Sequence, residues 1–103
     1  MDRQLGLSAG DAAVSNVVAS HRSTKIYVYF LSAGGHLHLC LWKLLSGWSQ
    51  QVLTLSRRQA YLAGPRSRLE SDGGPTRLRY NNQEGRVVHL EKKALWGWKF
   101  GLQ

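Results

Sequence analysis

Few residues in this 103-residue chain have the types and spacing that could do covalent chemistry. The carboxylates Asp2, Asp11, Glu70, Asp72, Glu84 and Glu91 form no spaced acid and base pair, and no Ser, His or Cys stands in a nucleophile motif. The expectation is a protein that is not an enzyme. His36 and His38 have the i, i+2 spacing that a strand turns to one side and that can hold a metal, but no third ligand lies near them in sequence, so no metal and no cofactor are expected. Gly34-Gly35 and Gly73-Gly74 lack the surroundings of a phosphate-cradling loop and read as turns. Cys40 is the only cysteine, which excludes an intrachain disulfide and a Cys-based zinc site and suits a reducing compartment.

Binding is the remaining chemistry. Fourteen Lys and Arg against six Asp and Glu give a formal charge of +8, enough to attract phosphate, anionic lipid or acidic glycans without a dedicated site. The cations are dispersed as Arg57-Arg58, Arg66 and Arg68, Arg77 and Arg79, and Lys92-Lys93, which is the pattern of a solvated surface and leaves nucleic acid as the rival partner. At 43% hydrophobic and 10% aromatic the chain has the material for a packed core, though its length puts it near the lower limit of independent stability. No stretch approaches the apolar length of a membrane span, and Met1 to Asn16 shows no leader pattern. A soluble, cytoplasmic protein is expected.

The elements that would position any site come in two copies. A shift of fifty residues superposes Gly35 on Gly85, Lys43 on Lys93, Leu45 on Leu95, Gly47 on Gly97 and Trp48 on Trp98. Ile26-Tyr-Val-Tyr-Phe-Leu31 is a β-branched and aromatic run that ends at the turn Ser32-Ala-Gly-Gly35, with His36 to Trp42 as the return strand. Thr76-Arg-Leu-Arg-Tyr80 runs likewise into Asn81-Asn-Gln-Glu-Gly85, and Arg86 to Glu91 comes back. A shorter strand precedes each hairpin, at Asn16 to Ser20 before a His21 to Lys25 turn and at Ser67 to Ser71 before Asp72-Gly-Gly-Pro75. A fourth follows each Gly-Trp pair, at Trp48 to Thr54 and at Trp98 to Leu102.

Leu37, Cys40, Leu41, Leu44 and Trp48 also fall at helical spacing, so a helix there is the competing reading. Against it, His36, His38, Cys40 and Trp42 alternate strictly with Leu37, Leu39 and Leu41, as a strand with two covered faces requires. The fold expected is all-β, two four-stranded antiparallel propeller-type blades. The chain divides into an N-terminal segment 1–15, a first blade-like repeat 16–54, a linker 55–66 and a second repeat 67–103.

At these residues the sequence resembles the fucose-binding lectins of fungi and bacteria. Their blades carry a strand of the type Ile-Arg-Val-Tyr-Tyr, a Gly-x-Ile-x-Glu strand, often Cys-Trp, and then Gly-Trp. Ile26-Tyr-Val-Tyr-Phe30 and Thr76-Arg-Leu-Arg-Tyr80 are similar to the first element, and Gly35-His-Leu-His-Leu39 and Gly85-Arg-Val-Val-His89 to the second. Cys40 and Trp42 lie near the Cys-Trp place, with Gly47-Trp48 and Gly97-Trp98 at the last.

The resemblance implies a shallow sugar site between adjacent blades. Arg and Glu of one blade would bond vicinal hydroxyls, and Trp of the next would stack on the apolar face of the sugar. Carried onto this chain, the Arg falls on Arg77 and on Tyr27, the Glu on His89 and on Leu39, and the stacking rings on Trp42, Trp48 and Trp98. The most complete set is Arg77 and His89 against Trp42 and Trp48 of a neighbouring chain. Two blades cannot close a ring that needs about four to eight, so a homotrimer of six blades binding fucosylated or other glycans is what the resemblance implies. The alternatives that stay open are a small basic nucleic-acid-binding protein and a non-functional fragment.

Overall fold

The computed structural model describes residues 17–93 and 97–103; the expected N-terminal segment 1–15 and the Leu45–Leu95 match fall in part or wholly outside them. The described chain is all-β, two four-stranded antiparallel meanders with one short 3-10 turn, Gln59–Tyr61, in the connection. The first sheet is β1 (Val18–Arg22), β2 (Lys25–Leu31), β3 (Leu37–Lys43) and β4 (Gly47–Val52). The second is β5 (Glu70–Ser71), β6 (Arg77–Asn81), β7 (Val87–Lys93) and β8 (Gly97–Leu102). The helical reading of Leu37 to Trp48 is therefore set aside, because alternating residues on β3 are buried on both faces of a sheet.

The repeat holds at the level of individual pairings. Tyr27 pairs with Leu41 and Arg77 with Glu91, while Lys43 pairs with Gly47 and Lys93 with Gly97, in each case the same pairing moved by fifty positions. The turns repeat as well: Gly35 N donates to Ser32 O at 2.9 Å and Gly85 N to Asn82 O at 3.0 Å, with φ of +80° and +82° at the two glycines. Both Gly-Trp glycines also take positive φ, +75° at Gly47 and +72° at Gly97, where a Cβ would be disfavoured.

The outermost strands break the repeat. A tight loop of Ser23 and Thr24 joins Arg22 to Lys25, so β1 runs on through the expected His21 to Lys25 turn. Only Ser23 of that pair has positive φ, +56°, the pattern of a type II′ hairpin. In the second sheet Asp72 N donates to Arg77 O across Gly73-Gly-Pro-Thr76, and β5 shortens to two residues. Tyr27 faces Ser20 in one sheet and Arg79 faces Glu70 in the other, so the outer strand has slipped by two places, an even shift that keeps each side chain on its face.

Across β2–β4 and β6–β8, odd and even residues mark opposite faces. The odd face of the first sheet (Tyr27, Tyr29, Leu31, Leu37, Leu39) packs on the even face of the second (Leu78, Tyr80, Val88, Leu90, Trp98, Phe100), joined by Leu53, Ala63 and Leu69 from the connection. The ring of Trp98 stands edge-on to that of Tyr29 at 6.0 Å, and the Tyr29 hydroxyl donates to Pro75 O at 2.5 Å. The Tyr80 hydroxyl donates to Tyr61 O at 2.6 Å, tying the connection onto the core. The two layers therefore stack head to tail, unlike face on unlike face, and not as mirror-related partners.

Candidate functional site

Head-to-tail stacking leaves two different faces turned away from the contact between the sheets. At one end lies the odd face of the second sheet, where the positions of Tyr27, Tyr29, Leu39 and Leu41 are taken by Arg77, Arg79, His89 and Glu91. At the other end lies the even face of the first sheet, where Ile26, Trp42 and Trp48 are exposed or half-buried while Phe30, His38 and Cys40 are buried.

The odd face of the second sheet is a network of paired charges. Arg79 donates to one oxygen of Glu70 through Nε at 3.0 Å and Nη2 at 2.8 Å, and its Nη1 is 4.0 Å from Asp72. The hydrogen bond to Glu70 strengthens the hold of that guanidinium on its proton. His89 is engaged at both ring nitrogens, Nδ1 with Asp72 at 3.3 Å and Nε2 with the Gln103 amide oxygen at 2.8 Å. Glu91 lies 3.0 Å from Lys93 and 3.6 Å from Arg77, its cross-strand partner. The hydrogen bond from Lys93, helped by that ammonium charge and by Arg77 and Lys99, holds the Glu91 carboxyl below its usual range. A shallow hollow of about 170 Å³ opens among Asp72, Arg77, His89, Leu90, Glu91 and Lys99.

Of the residues expected to form a site, Arg77 and His89 thus share one face and one hollow. The carboxylate beside them is Glu91, which the motif carry-over placed at His89, two residues earlier. Glu91, Asp72, Arg79 and Glu70 were missed, and the signal that finds Glu91 and Arg79 is parity: alternating β6 and β7 residues at 77, 79, 89 and 91 are all polar. The same hollow does not form between the two sheets of the chain, because Tyr27 and Leu39 stand where the resemblance has Arg and Glu, and both are buried in the core.

The tryptophans divide. Trp42 and Trp48 are directly paired across β3 and β4, and Ile26 pairs with Trp42 on the other side, so the three make a row across the even face of the first sheet. Trp48 is 42% exposed and Ile26 37%, and Trp42 is half-buried. Trp98 is 6% exposed and points into the core, on the opposite side of its sheet from Arg77 and His89. Further along that first-sheet face the ring of Phe30 stacks on its partner His38 at 4.8 Å, and His38 Nε2 meets Ser32 Oγ at 3.0 Å. His36 Nδ1 meets Thr54 Oγ1 at 2.9 Å. Both histidines of the i, i+2 pair are bound into structure, and among the described residues no three His, Cys, Asp or Glu side chains group as metal ligands. Burial pushes the Cys40 thiol up, away from its reactive thiolate form.

Comparison with family models, with curated proteins and with solved structures returns no match. Among the described residues no helix is long and apolar enough to cross a membrane.

Proposed function

We propose that this chain is a carbohydrate-binding module of propeller-blade type, whose ligand lies where the polar face of one copy meets the indole row of another. One observation carries the reading. The two sheets stack head to tail inside the chain, and the faces turned away from that contact are again one odd and one even, the even one open at Ile26, Trp42 and Trp48. A further copy added by the same operation would bring Arg77, His89 and Glu91 opposite Trp42 and Trp48. Repetition of an unlike-face contact closes a ring when the rotation permits, and three copies would supply six blades.

The chemistry fits an uncharged polyol. Arg77 and Glu91 supply donors and acceptors at hydroxyl spacing, while Trp42 and Trp48 offer flat apolar area for a C–H face. Because these charges are already paired with one another, the face stays solvated in a single copy, as terminal faces of stacked repeats must.

The test joins binding to mass. Calorimetric titration with a fucosylated oligosaccharide, displaced by free fucose and lost in Arg77→Ala and Trp48→Ala, together with a trimeric mass in sedimentation, is the expected result. Binding to duplex nucleic acid that falls steeply with salt and ignores fucose would replace this reading with the basic-protein alternative that the +8 charge invites.

A further inference from the structure

A second hollow, of about 610 Å³, runs along the open edge of β8 and is lined by Arg57, Tyr61, Lys93, Trp98, Lys99 and Phe100. Of these six described residues three are cations and none is an acid. We propose that it binds an oxyanion ester carried on a saccharide, a sulfate group above all. The proposal does not rest on the junction site; Lys99 alone lines both hollows.

The edge itself contributes donors. Gln103 N donates to Val87 O at 2.9 Å, so the odd residues of β8 bond to β7 and the N–H and C=O groups of Trp98 and Phe100 turn to the open side. Arg57 closes part of that edge. Its Nη2 donates to Trp98 O at 3.0 Å, and its guanidinium carbon stands 5.0 Å from the centre of the Phe100 ring. This pins the fork at the rim and uses one of its five N–H groups. Phe100 N–H points to the same side, and Lys99 stands across the strands from Glu91, whose closer partner is Lys93 at 3.0 Å. Lys93 brings Glu91 with it at 3.0 Å, so the excess of charge rests on Arg57 and Lys99.

The described lining is thus rich in donors, and among the described residues its only side-chain acceptor is the Tyr61 hydroxyl, which suits a group that only accepts. The ring faces decide what carries that group. Tyr61 stacks on Phe100 at 5.2 Å, Arg57 lies over Phe100, Lys92 lies 5.9 Å over Trp98 and Tyr29 meets Trp98 edge-on. Trp98 and Phe100 are 6% and 9% exposed. Stacking of nucleic-acid bases needs open ring faces, and these are taken. A saturated sugar ring bearing a sulfate needs only the donors and the ring edges.

The intact chain is titrated with a sulfated disaccharide, its unsulfated counterpart, inorganic sulfate and a single-stranded oligonucleotide. The sulfated sugar is expected to bind roughly tenfold tighter than the unsulfated one, and Arg57→Met to lose most of that difference. Fucose binding, where wild type has it, is expected to be unchanged in Arg57→Met. Lys99→Gln, on an exposed position, keeps the test decisive if Arg57→Met unfolds, and is expected to weaken the sulfated sugar and flatten its salt dependence. Equal affinity for the two sugars, unchanged binding in both variants, or preference for the oligonucleotide would overturn the proposal. Absence of fucose binding in the wild-type chain would overturn only the junction site.

Discussion

Trp48 and Trp98 follow glycines of nearly equal φ, +75° and +72°, and start strands in the same register, yet Trp48 is 42% exposed and Trp98 6%. The cause lies in the stacking. Both indoles stand on the even face of their sheets, and only the second sheet has its even face covered by the other sheet of the chain. Truncation separates the two roles. Trp98→Ala is expected to cost about 3–5 kcal/mol in chemical denaturation, the range for removing a large buried ring, whereas Trp48→Ala should stay within about 1 kcal/mol. Equal losses would mean that both tryptophans are core residues and that the indole row is not available to a ligand.

The carboxylate position that the lectin resemblance puts at Leu39 and His89 makes the same distinction in a polar form. Leu39 is 3% exposed between the sheets, so Leu39→Glu would leave an unpaired charge in the core and is expected to cost about 3–5 kcal/mol or prevent folding. His89→Glu lies on the outward face directly opposite Arg79 and is expected to fold, at a cost of no more than about 1 kcal/mol for the lost contacts to Asp72 and Gln103 and the new carboxylate beside Asp72. Placing the carboxylate beside Arg77, it should also tighten sugar binding, as read by the same titration.

Much of this arrangement is legible in the sequence. The shift of fifty residues survives intact in β3 and β7 and in β4 and β8, because their turns depend on glycines that must take positive φ and so mark themselves. The first hairpin is less visible: its turn is built on Ser23, a residue type that does not announce positive φ, and β1 accordingly lies two residues further along the chain than the pattern suggests. The face on which each sheet packs is not readable at all in the first repeat, where Leu37, Leu39, His38 and Cys40 are buried on opposite sides. In the second repeat the charges at 77, 79, 89 and 91 declare the outward face, and with it the candidate residues Arg79 and Glu91 that motif matching overlooked.

Tyr29 and Tyr80 make stability sensitive to alkali. Burial raises both phenols well above their ordinary value of 10.0, with a smaller contribution at Tyr29 from Tyr27, and each hydroxyl donates to a backbone carbonyl that a phenolate could not serve. The folded state therefore keeps protons that the unfolded chain releases near pH 10. Linkage gives the sign: the stabilisation is whole below about pH 10 and shrinks as pH rises beyond it. Denaturation midpoints at rising pH should fall above that point, and the fall should be shallower in Tyr29→Phe and Tyr80→Phe, although each variant starts lower by the lost hydrogen bond. A flat profile through pH 11 would show that the phenols do not control it.

Gly35 and Gly85 offer the sharpest comparison between the repeats, because they share a turn, a hydrogen bond and a φ of about +80° but differ in what surrounds them. A Cβ on Gly85 meets nothing within 4 Å, so Gly85→Ala should show the conformational penalty alone, about 1–2 kcal/mol. A Cβ on Gly35 would stand 2.6 Å from Ala63 O and 3.1 Å from Ala63 N, inside the bond by which Ala63 N donates to Gly35 O at 2.9 Å. Both obstructing atoms are backbone, and they belong to the connection that seats Ala63 in the core between the sheets. Gly35→Ala must therefore push that connection away as well, and is expected to cost clearly more than Gly85→Ala in paired denaturation curves. Equal costs would show that residues 53–69 do not clamp the turn of the first repeat, and that the head-to-tail stack is held by its sheet faces alone.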